Sequence, residues 1–442
     1  MTDGTSGLDP CVHCGFCLQS CPTYVVTGDE ADSPRGRIVL MQALSSGELP
    51  ISDEALTLHL NRCLGCRACE SACPSGVEYG AALEATRSAL AVTNSVPLLA
   101  RMVLAVMAER RIRRPLLAAS RLARPLARLL AGKSRIGFQL GMLAATRMRM
   151  GQNGAEGRKG ARTERDRSAD GESLPYHHSA PVPQGGELAV IFRGCIMDDL
   201  FSHVHSATAR TLQANGFTLA TAPQQECCGA LHTHAGLRDR AKALARHNIH
   251  AFRDQAKATI VVNAAGCGAA LKDYGDLLRG DPLESEAREF AGRVKDVSEV
   301  LAACGPRAGA SLELTVAVDP ACHLQHAQRV VDQPLAVLEA IPGLRCRSPA
   351  DAEHCCGSAG VYSILEPELS RQVLARKLES LEAVAADVIT TANPGCIMQI
   401  GAGQFASRRV RPVVHPIELL DLSYRRAGYY HGRSGTSDMV VN

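Results

Sequence analysis

The chain has 442 residues, with 48 Lys and Arg against 45 Asp and Glu, and its formal net charge is +3. A hydrophobic content of 46% with 21% charged residues excludes a globally disordered chain and a polytopic membrane protein. The 18 cysteines are an unusually high count, and residues 1–10 lack the basic and apolar regions of a secretory signal. We therefore expect thiolate ligands in a reducing compartment rather than disulfides.

The first predicted element is a cysteine run that occurs twice with the spacing C-x2-C-x2-C-x3-C-Pro. In bacterial two-cluster ferredoxins the first three cysteines of such a run hold one cluster and the fourth ligates the other. The spacing therefore assigns one [4Fe–4S] cluster to Cys11, Cys14, Cys17 and Cys73, and a second to Cys21, Cys63, Cys66 and Cys69. Zinc held by the C-x2-C pairs is the alternative. Between the runs, Ser33 and Pro34 precede an amphipathic helical pattern, so we predict a mainly α-helical, ferredoxin-like two-cluster domain at residues 1–96.

Residues 97–149 carry many arginines among apolar residues, with Glu109 as the sole acidic residue. The pattern predicts a basic amphipathic helical segment at residues 97–150, too interrupted by charge to span a bilayer. Its basic face is either a solvated surface covering the ferredoxin-like domain or a docking surface for a partner or an anionic membrane. The near-neutral balance of the whole chain argues against nucleic acid. Residues 151–186 are rich in Gly, Ser, Arg, Glu and Pro and predict a flexible linker.

After the linker, one cysteine pattern occurs twice, 127 to 129 residues apart. In each copy a β-like apolar run precedes the first cysteine, a Cys-Cys-Gly motif follows, and another apolar run precedes the last cysteine. This predicts a duplicated α/β cysteine-rich domain with pseudo-two-fold symmetry, at residues 187–305 and 312–430. The patterned cysteines are Cys195, Cys227, Cys228 and Cys267 in the first copy and Cys322, Cys355, Cys356 and Cys396 in the second.

Each set of four cysteines should meet at the carboxyl ends of its strands, where open α/β sheets bind ligands. Adjacent thiolates suit neighbouring irons of a cluster better than one tetrahedral zinc, and the glycine lets the backbone approach. One or two further iron–sulfur clusters are therefore expected, with zinc as the alternative. The nearby His232, His234, His323 and His326 are expected not to be ligands. Residues 401–406 fit G-x-G-x-x-A without following a strand, so we expect no flavin in this chain.

Several stretches resemble the iron–sulfur subunits of bacterial glycolate oxidase. They are the cysteine runs at residues 11–24 and 62–77, the segment at residues 32–38, and both Cys-Cys-Gly motifs. More distantly, the chain is similar to the iron–sulfur subunits of anaerobic glycerol-3-phosphate dehydrogenase and of heterodisulfide reductase. In heterodisulfide reductase each Cys-Cys-Gly domain ends in C-x-x-C. Here no such cysteine follows Cys267 or Cys396, so each copy offers four thiolates.

The resemblance implies an electron-transfer subunit of a glycolate oxidase or dehydrogenase complex. Glycolate would be oxidised at FAD on partner subunits, and this chain, without catalytic residues of its own, would pass electrons to a quinone or other acceptor. The alternatives are a subunit serving lactate or glycerol-3-phosphate, a heterodisulfide-reductase-like protein, and, of another class, a metal-stabilised assembly scaffold. We expect a cytoplasmic location, peripheral on the inner face of the cell membrane through residues 97–149.

Overall fold

The computed structural model describes residues 6–93, 96–120, 131–132, 134–146, 186–409 and 411–430. The N-terminal domain is helical, and residues 6–93 contain no strand. Its helices are α1 (Pro22–Thr27), α2 (Pro34–Ser46), α3 (Glu54–Asn61), α4 (Ala68–Ser71) and α5 (Tyr79–Thr93).

Local sequence explains where α2 begins and ends. The Ser33 hydroxyl accepts a hydrogen bond from the Gly36 amide, and Pro34 occupies the first turn, where its missing N–H costs nothing. Gly47 ends the helix with φ of +83°, a left-handed conformation that favours glycine. The helix predicted after Ser33 is thus confirmed, and its apolar face packs against α3 and α5 in one core.

The arginine-rich segment forms three helices in its described part: α6 (Leu98–Ala108), α7 (Arg110–Ser120) and α8 (Arg135–Ala145). Residues 121–130 and most of the predicted linker lie outside the described residues. Among the described residues no single helix has the length and apolarity needed to cross a membrane. Only α5 and α6 taken together satisfy those criteria, and the pair is bent by 114°.

The first lobe is a four-stranded parallel sheet in the order β2-β1-β3-β4. Its strands are β1 (Leu188–Ile191), β2 (Thr218–Ala220), β3 (Thr259–Val262) and β4 (Val294–Asp296). Its helices are α9 (Ile196–Leu200), α10 (Ser202–Ala214), α11 (Ala230–His234), α12 (Arg238–Ala251), α13 (Ala265–Lys272), α14 (Tyr274–Leu277), α15 (Glu284–Gly292) and α16 (Val297–Cys304).

The second lobe repeats the same arrangement, with parallel strands in the order β6-β5-β7-β8. Its strands are β5 (Thr315–Val318), β6 (Arg345–Arg347), β7 (Val388–Thr390) and β8 (Val413–Val414). Its helices are α17 (Gln333–Glu339), α18 (Tyr362–Leu365), α19 (Pro367–Ala383), α20 (Pro394–Ala406) and α21 (Pro416–Arg426). The equivalent strand order in both sheets confirms the duplicated α/β domain predicted from the sequence.

The two lobes share one apolar core that includes Val204 and Leu212 of the first and Leu420 of the second. At its edge, Arg210 donates two hydrogen bonds of 2.8 Å to the Asp421 carboxylate. Helix α8 crosses the second lobe, where Gly141 lies so close to Ala402 that a Cβ would meet it at 3.5 Å. The two lobes are therefore packed against each other, and α8 of the arginine-rich segment packs against the second lobe.

Candidate iron–sulfur sites

The eight cysteines of the two ferredoxin-type runs line two neighbouring cavities. The cavity that we call the outer ferredoxin cavity is lined by Cys11, Cys14, Cys17 and Cys73, with Cys69 at its edge. The one that we call the inner ferredoxin cavity is lined by Cys21, Cys63, Cys66 and Cys69. Each cavity thus gathers three cysteines of one run with the fourth cysteine of the other, which is the grouping that the spacing predicts.

In both cysteine loops, the residues on either side of the second cysteine have positive φ angles. His13 (φ +52°) and Gly15 (φ +85°) flank Cys14 in the first run. Gly65 (φ +64°) and Arg67 (φ +62°) flank Cys66 in the second. A positive φ costs energy at His13 and at Arg67, which are not glycine, so the surrounding structure must stabilise both loops. The result is a tight turn that directs three thiols of each run into one cavity.

The two cavities differ in their access to solvent. Cys14 of the outer ferredoxin cavity is exposed, and the adjacent Val12 and Phe16 are 70% and 69% exposed. In the inner ferredoxin cavity Cys21, Cys63, Cys66 and Cys69 are all buried. A group in the outer cavity is therefore accessible to another protein, whereas a group in the inner cavity is enclosed by this chain.

Two buried arginines, which the sequence analysis did not single out, surround the inner ferredoxin cavity. The Arg37 side chain is 1% exposed and donates hydrogen bonds to the Thr23 hydroxyl (3.1 Å) and the His59 carbonyl (2.7 Å). The Arg87 guanidinium donates to the carbonyls of Leu60 (2.7 Å) and Cys63 (2.6 Å). Arg37 belongs to the stretch at residues 32–38 that carries the family resemblance, and that stretch is the one sequence signal that points to it.

These arginines change the acidity of the thiols unequally. Burial alone would raise the pKa of Cys63, but Arg37 and Arg87 more than offset it and lower that pKa, helped by a hydrogen bond from the Tyr79 hydroxyl (3.5 Å). Burial raises the pKa of Cys66 and of Cys69 well above the usual thiol range. Of these three thiols Cys63 is therefore the one best prepared to bind a metal as a thiolate, and binding at Cys66 and Cys69 must displace a proton.

The cysteines of each lobe also converge, at the carboxyl ends of the central strands as predicted. In the first lobe the Sγ atoms of Cys228 and Cys267 are 3.2 Å apart, and Cys195 packs against Cys227. In the second lobe the Cys356 and Cys396 sulfurs are 3.0 Å apart, and those of Cys322 and Cys355 are 4.0 Å apart. We call these groups the first-lobe set and the second-lobe set.

The glycine of each Cys-Cys-Gly motif has a positive φ, +87° at Gly229 and +82° at Gly357. At Gly357 a Cβ would lie 2.6 Å from the Ser370 carbonyl oxygen, whereas at Gly229 its nearest neighbour would be 3.4 Å away. The motif therefore needs glycine at both positions for its backbone angle, and at Gly357 also for the close approach of α19.

The distances between the cysteine sulfurs can be compared with those expected around a single zinc ion. Four thiolates bound tetrahedrally to zinc lie about 3.8 Å from one another, given a Zn–S distance of about 2.3 Å. Among the described residues, however, no three cysteine sulfurs lie within 4.8 Å of one another. None of the four cysteine groups thus has the compact arrangement of a four-thiolate zinc site, although the lobe pairs at 3.0, 3.2 and 4.0 Å are as close as zinc ligands. The 18 cysteines form no disulfide.

Comparison with known proteins agrees with these groups. Residues 10–77 match the 4Fe-4S dicluster domain family, and residues 189–272 and 316–401 match the cysteine-rich domain family. The chain is 35% identical over 424 residues to the "Probable glycolate oxidase iron-sulfur subunit" of Bacillus subtilis, covering 95% of this chain and 94% of the relative. It is 31% identical to the glycolate oxidase iron-sulfur subunit of Escherichia coli, with 95% of both chains covered. The chain belongs to the family of glycolate oxidase iron–sulfur subunits.

The chain is also similar, over about half of its length, to a shorter protein with a different name. Lactate utilization protein A of Shouchella clausii is 28% identical over 234 residues, which is 52% of this chain and 97% of the relative. The glycolate oxidase subunits, in contrast, match this chain over almost its whole length.

In this member of the glycolate oxidase family the second-lobe set lies against the inner ferredoxin cavity. Cys66 and Cys355 belong to the same buried apolar cluster, which also includes Leu64 and Tyr362. The Tyr362 hydroxyl donates a hydrogen bond of 3.0 Å to the Arg62 carbonyl beside Cys63. Cys195 and Cys227 of the first-lobe set instead pack with Leu244, inside their own lobe. The pseudo-symmetric lobes are thus placed asymmetrically around the ferredoxin-type domain.

The lobe histidines mediate these contacts between domains. His323 Nε2 lies 3.1 Å from the Gly65 carbonyl oxygen, and His326 Nδ1 lies 2.9 Å from the Ser71 hydroxyl. His234 approaches the His323 ring at 5.2 Å between centroids, and His232 is buried nearby. Within the described part of the chain, no lobe histidine lies close enough to two cysteines to share a metal ion with them. His354 does lie close to two exposed acidic residues, Asp351 and Glu353.

Part of the arginine-rich segment makes ion pairs with the first lobe, which its sequence did not predict. Arg113 is buried, with Nε 2.5 Å from an Asp199 carboxylate oxygen, and Arg114 lies 3.1 Å from Asp198. Asp198 and Asp199 belong to α9 of the first lobe, so α7 is fastened to that lobe. The solvated-face and docking interpretations therefore do not describe Arg113 and Arg114, which face carboxylates 86 and 84 residues away in sequence.

Proposed function

We propose that this chain is the electron-transfer subunit of a glycolate oxidase complex, and that it passes electrons from FAD-containing partner subunits to a quinone. The observation that carries the proposal is the contact of three cysteine groups. The outer and inner ferredoxin cavities share Cys69, and the inner cavity meets the second-lobe set where Cys66 packs with Cys355.

The proposed ligands are Cys11, Cys14, Cys17 and Cys73 for one [4Fe–4S] cluster and Cys21, Cys63, Cys66 and Cys69 for the other. Such clusters accept and release one electron at a potential set by charge, hydrogen bonds and burial. Arg37 and Arg87 supply positive charge at the inner site, and the Tyr79 hydroxyl donates a hydrogen bond to Cys63. These groups favour the more negatively charged, reduced state of whatever the inner cysteines hold.

The two lobe sets are proposed to hold one or two further iron–sulfur clusters. Neither set has three sulfurs within 4.8 Å of one another, as a tetrahedral zinc site would, and four thiolates per set match the requirement of a [4Fe–4S] cluster. We propose domain bounds of residues 1–96 for the ferredoxin-type domain and of residues 187–305 and 312–430 for the two lobes.

The FAD-containing partner is proposed to dock at the outer ferredoxin cavity. Val12 and Phe16 are large apolar side chains left exposed directly beside Cys11, Cys14 and Cys17. Exposed apolar groups of this kind around a redox site mark an interaction surface.

Attachment to the inner face of the cell membrane is proposed through the exposed side of α6 and α7. Leu98, Met102 and Ile112 are 71%, 53% and 53% exposed, and the exposed Arg101 and Arg111 lie on the same two helices. Apolar side chains with flanking arginines suit the surface of an anionic bilayer. Arg110, Arg113 and Arg114, in contrast, are occupied by Asp198 and Asp199 and contribute little to such a surface.

The test is glycolate-dependent reduction of a soluble dye by the complex purified with its partner subunits under anaerobic conditions. Cys14→Ser and Cys66→Ser should each abolish dye reduction, while glycolate still bleaches the FAD of the partner. Cys304→Ser, at an exposed cysteine that belongs to none of the four groups, is the matched control. Full dye reduction by the Cys14 and Cys66 variants would overturn the proposal. Comparing glycolate with lactate and glycerol-3-phosphate decides among the related subunits.

A further inference from the structure

A cavity of about 230 Å³ opens beside Cys63, where four parts of the chain meet. It lies between α3, α5, the start of α6, the end of α11 and helix α18 of the second lobe. Its lining includes Cys63, Leu64, Arg87, Leu90, Val96 and His234, and on the second-lobe side Val361, Tyr362 and Leu365. The cavity does not belong to either ferredoxin cavity, although it shares Cys63 with the inner one.

The walls of this cavity are mostly apolar, and its size suits one aromatic ring. An apolar protein cavity of about 150 Å³ is enough to bind benzene, so 230 Å³ accommodates a substituted six-membered ring with its tail outside. The polar side chains in the wall are Thr57, Asn61, Arg87, His234, Tyr362 and Glu366. Within the described part of the chain, no hydrogen bond satisfies the His234 imidazole, whereas Arg87 is occupied by backbone carbonyls.

Exposed apolar side chains lie next in the chain to residues that line the cavity. Val92 on α5 is 86% exposed, and Leu98 and Leu99 at the start of α6 are 71% and 49% exposed. Val96 and Pro97 of the cavity wall directly precede these leucines in the chain. Large side chains exposed together indicate contact with an apolar phase or partner, so a ligand entering here comes from apolar surroundings.

We infer that this cavity binds the ring of a lipid-soluble quinone, next to Cys63 and with its apolar tail leaving between α5 and α6. This inference rests on the proposed function, which supplies the electrons. Glycolate loses two electrons and two protons to become glyoxylate. The quinone takes up two electrons, one at a time, and two protons from water to become the quinol. The free imidazole of His234 is placed to hydrogen-bond a ring oxygen.

A second and larger cavity, of about 330 Å³, lies between α1 and α19. Cys355 of the second-lobe set lies in its wall, so it too reaches a candidate metal ligand. Its lining combines apolar residues such as Val25 and Val373 with four charged side chains, Asp351, Arg376, Lys377 and Glu379. Because burying an uncharged ring among charged groups costs desolvation energy, this second cavity suits a quinone less well and provides the matched control.

The experiment compares Val96→Trp, which fills the proposed quinone cavity, with Val25→Trp, which fills the charged cavity. The measured quantity is the ratio of quinone to dye reduction by the glycolate complex, with a short-chain ubiquinone as the quinone. We expect Val96→Trp to lower this ratio about tenfold or more, and Val25→Trp to leave it within about twofold of wild type. A loss of the ratio in Val25→Trp alone, or in neither variant, overturns the inference.

A second readout tests binding without turnover. An azido-quinone is photo-crosslinked to the full chain carrying its clusters, and the labelled peptides are identified by mass spectrometry. Labelling should fall in residues 87–100 or 359–366, be competed by unlabelled quinone and be lost in Val96→Trp. Labelling elsewhere, or without competition, overturns the inference. If wild-type protein reduces neither dye nor quinone with glycolate, the proposed function fails, and the crosslinking still decides whether the cavity binds quinone.

Discussion

At the scale of single residues, the charged side chains around the inner ferredoxin cavity act as a unit. Asp32 is fully buried and faces Arg37 at 3.4 Å, His59 at 2.9 Å and Arg62 at 3.1 Å. A buried carboxylate is tolerated only with such partners, and Arg37 is the one among them that is itself buried. The Asp32 group therefore fixes the positive charge of Arg37 beside Cys21 and Cys63.

Arg37→Gln should destabilise the ferredoxin-type domain by about 3–5 kcal/mol, because the substitution removes one partner of a buried ion pair. It should also lower the midpoint potential of the inner site, since the reduced state loses a stabilising positive charge. Thermal unfolding and a redox titration followed by electron paramagnetic resonance measure the two effects. Arg35→Gln is the control, because Arg35 pairs with Glu30 at the exposed surface, where ion pairs contribute little. Equal effects of the two variants would contradict the role given to Arg37.

The two Cys-Cys-Gly glycines provide a matched pair of substitutions. Gly229→Ala should cost about 1–2 kcal/mol, because alanine at φ of +87° is strained but has room for its Cβ. Gly357→Ala should cost more and reduce metal binding in the second lobe, since its Cβ meets the Ser370 carbonyl at 2.6 Å. Thermal unfolding and metal content of both variants test this order. A larger effect at Gly229 would show that the space around the motif does not matter.

At the scale of secondary-structure elements, α7 is held by charge as well as by packing. Its buried Arg113 faces Asp199, and that carboxylate is itself only 5% exposed in its side chain. Helix α7 contains Pro115, which weakens its backbone hydrogen bonding, so its position depends on such tertiary contacts. Attachment of α7 in turn positions α6, which forms one wall of the proposed quinone cavity.

Arg113→Met should release α7 from the first lobe, because it leaves Asp199 buried with less compensation, at a cost of about 3–5 kcal/mol. The expected result is faster cleavage by trypsin after Arg110 and Arg111 under native conditions. Arg111→Met, at an exposed position of the same helix, should leave the cleavage rate at the other sites unchanged. If Arg113→Met is cleaved no faster than wild type, the ion pair does not hold the helix.

These elements also show how far sequence reasoning reaches. The eight ferredoxin-type cysteines, the helix after Ser33 and the strands before each lobe cysteine follow from local spacing and periodicity, and the structure has them. The attachment of Arg113 to Asp199 does not follow, because an arginine-rich amphipathic pattern looks the same whether its charges face water, lipid or distant carboxylates. The cavity beside Cys63 could not be predicted either, since its walls come from four separate parts of the chain.

At the scale of the whole molecule, duplication produces two equivalent cysteine sets in unequal places. Cys355 of the second-lobe set packs in one cluster with Cys66, whereas its equivalent in the first lobe, Cys227, packs with Cys195 and Leu244. The sequence offsets predict the equivalence but cannot predict which lobe meets the ferredoxin-type domain. Of the two cysteine sets, only the second-lobe set packs against a cysteine of the inner ferredoxin cavity in the buried clusters of the described residues.

Cys355→Ser should therefore alter the inner site, and Cys227→Ser should not. In each variant the iron and acid-labile sulfide content of the full chain reports whether the substituted lobe loses its cluster. The midpoint potential and the electron paramagnetic resonance signal of the inner site report coupling, because a change of charge beside Cys66 is only weakly screened inside the protein. We expect iron loss in both variants but a shifted inner signal only in Cys355→Ser. A shift of equal size in both variants would mean that both lobe sets influence the inner site equally, and it would contradict this prediction. Zinc in place of iron in both lobes would instead show that the sets are structural.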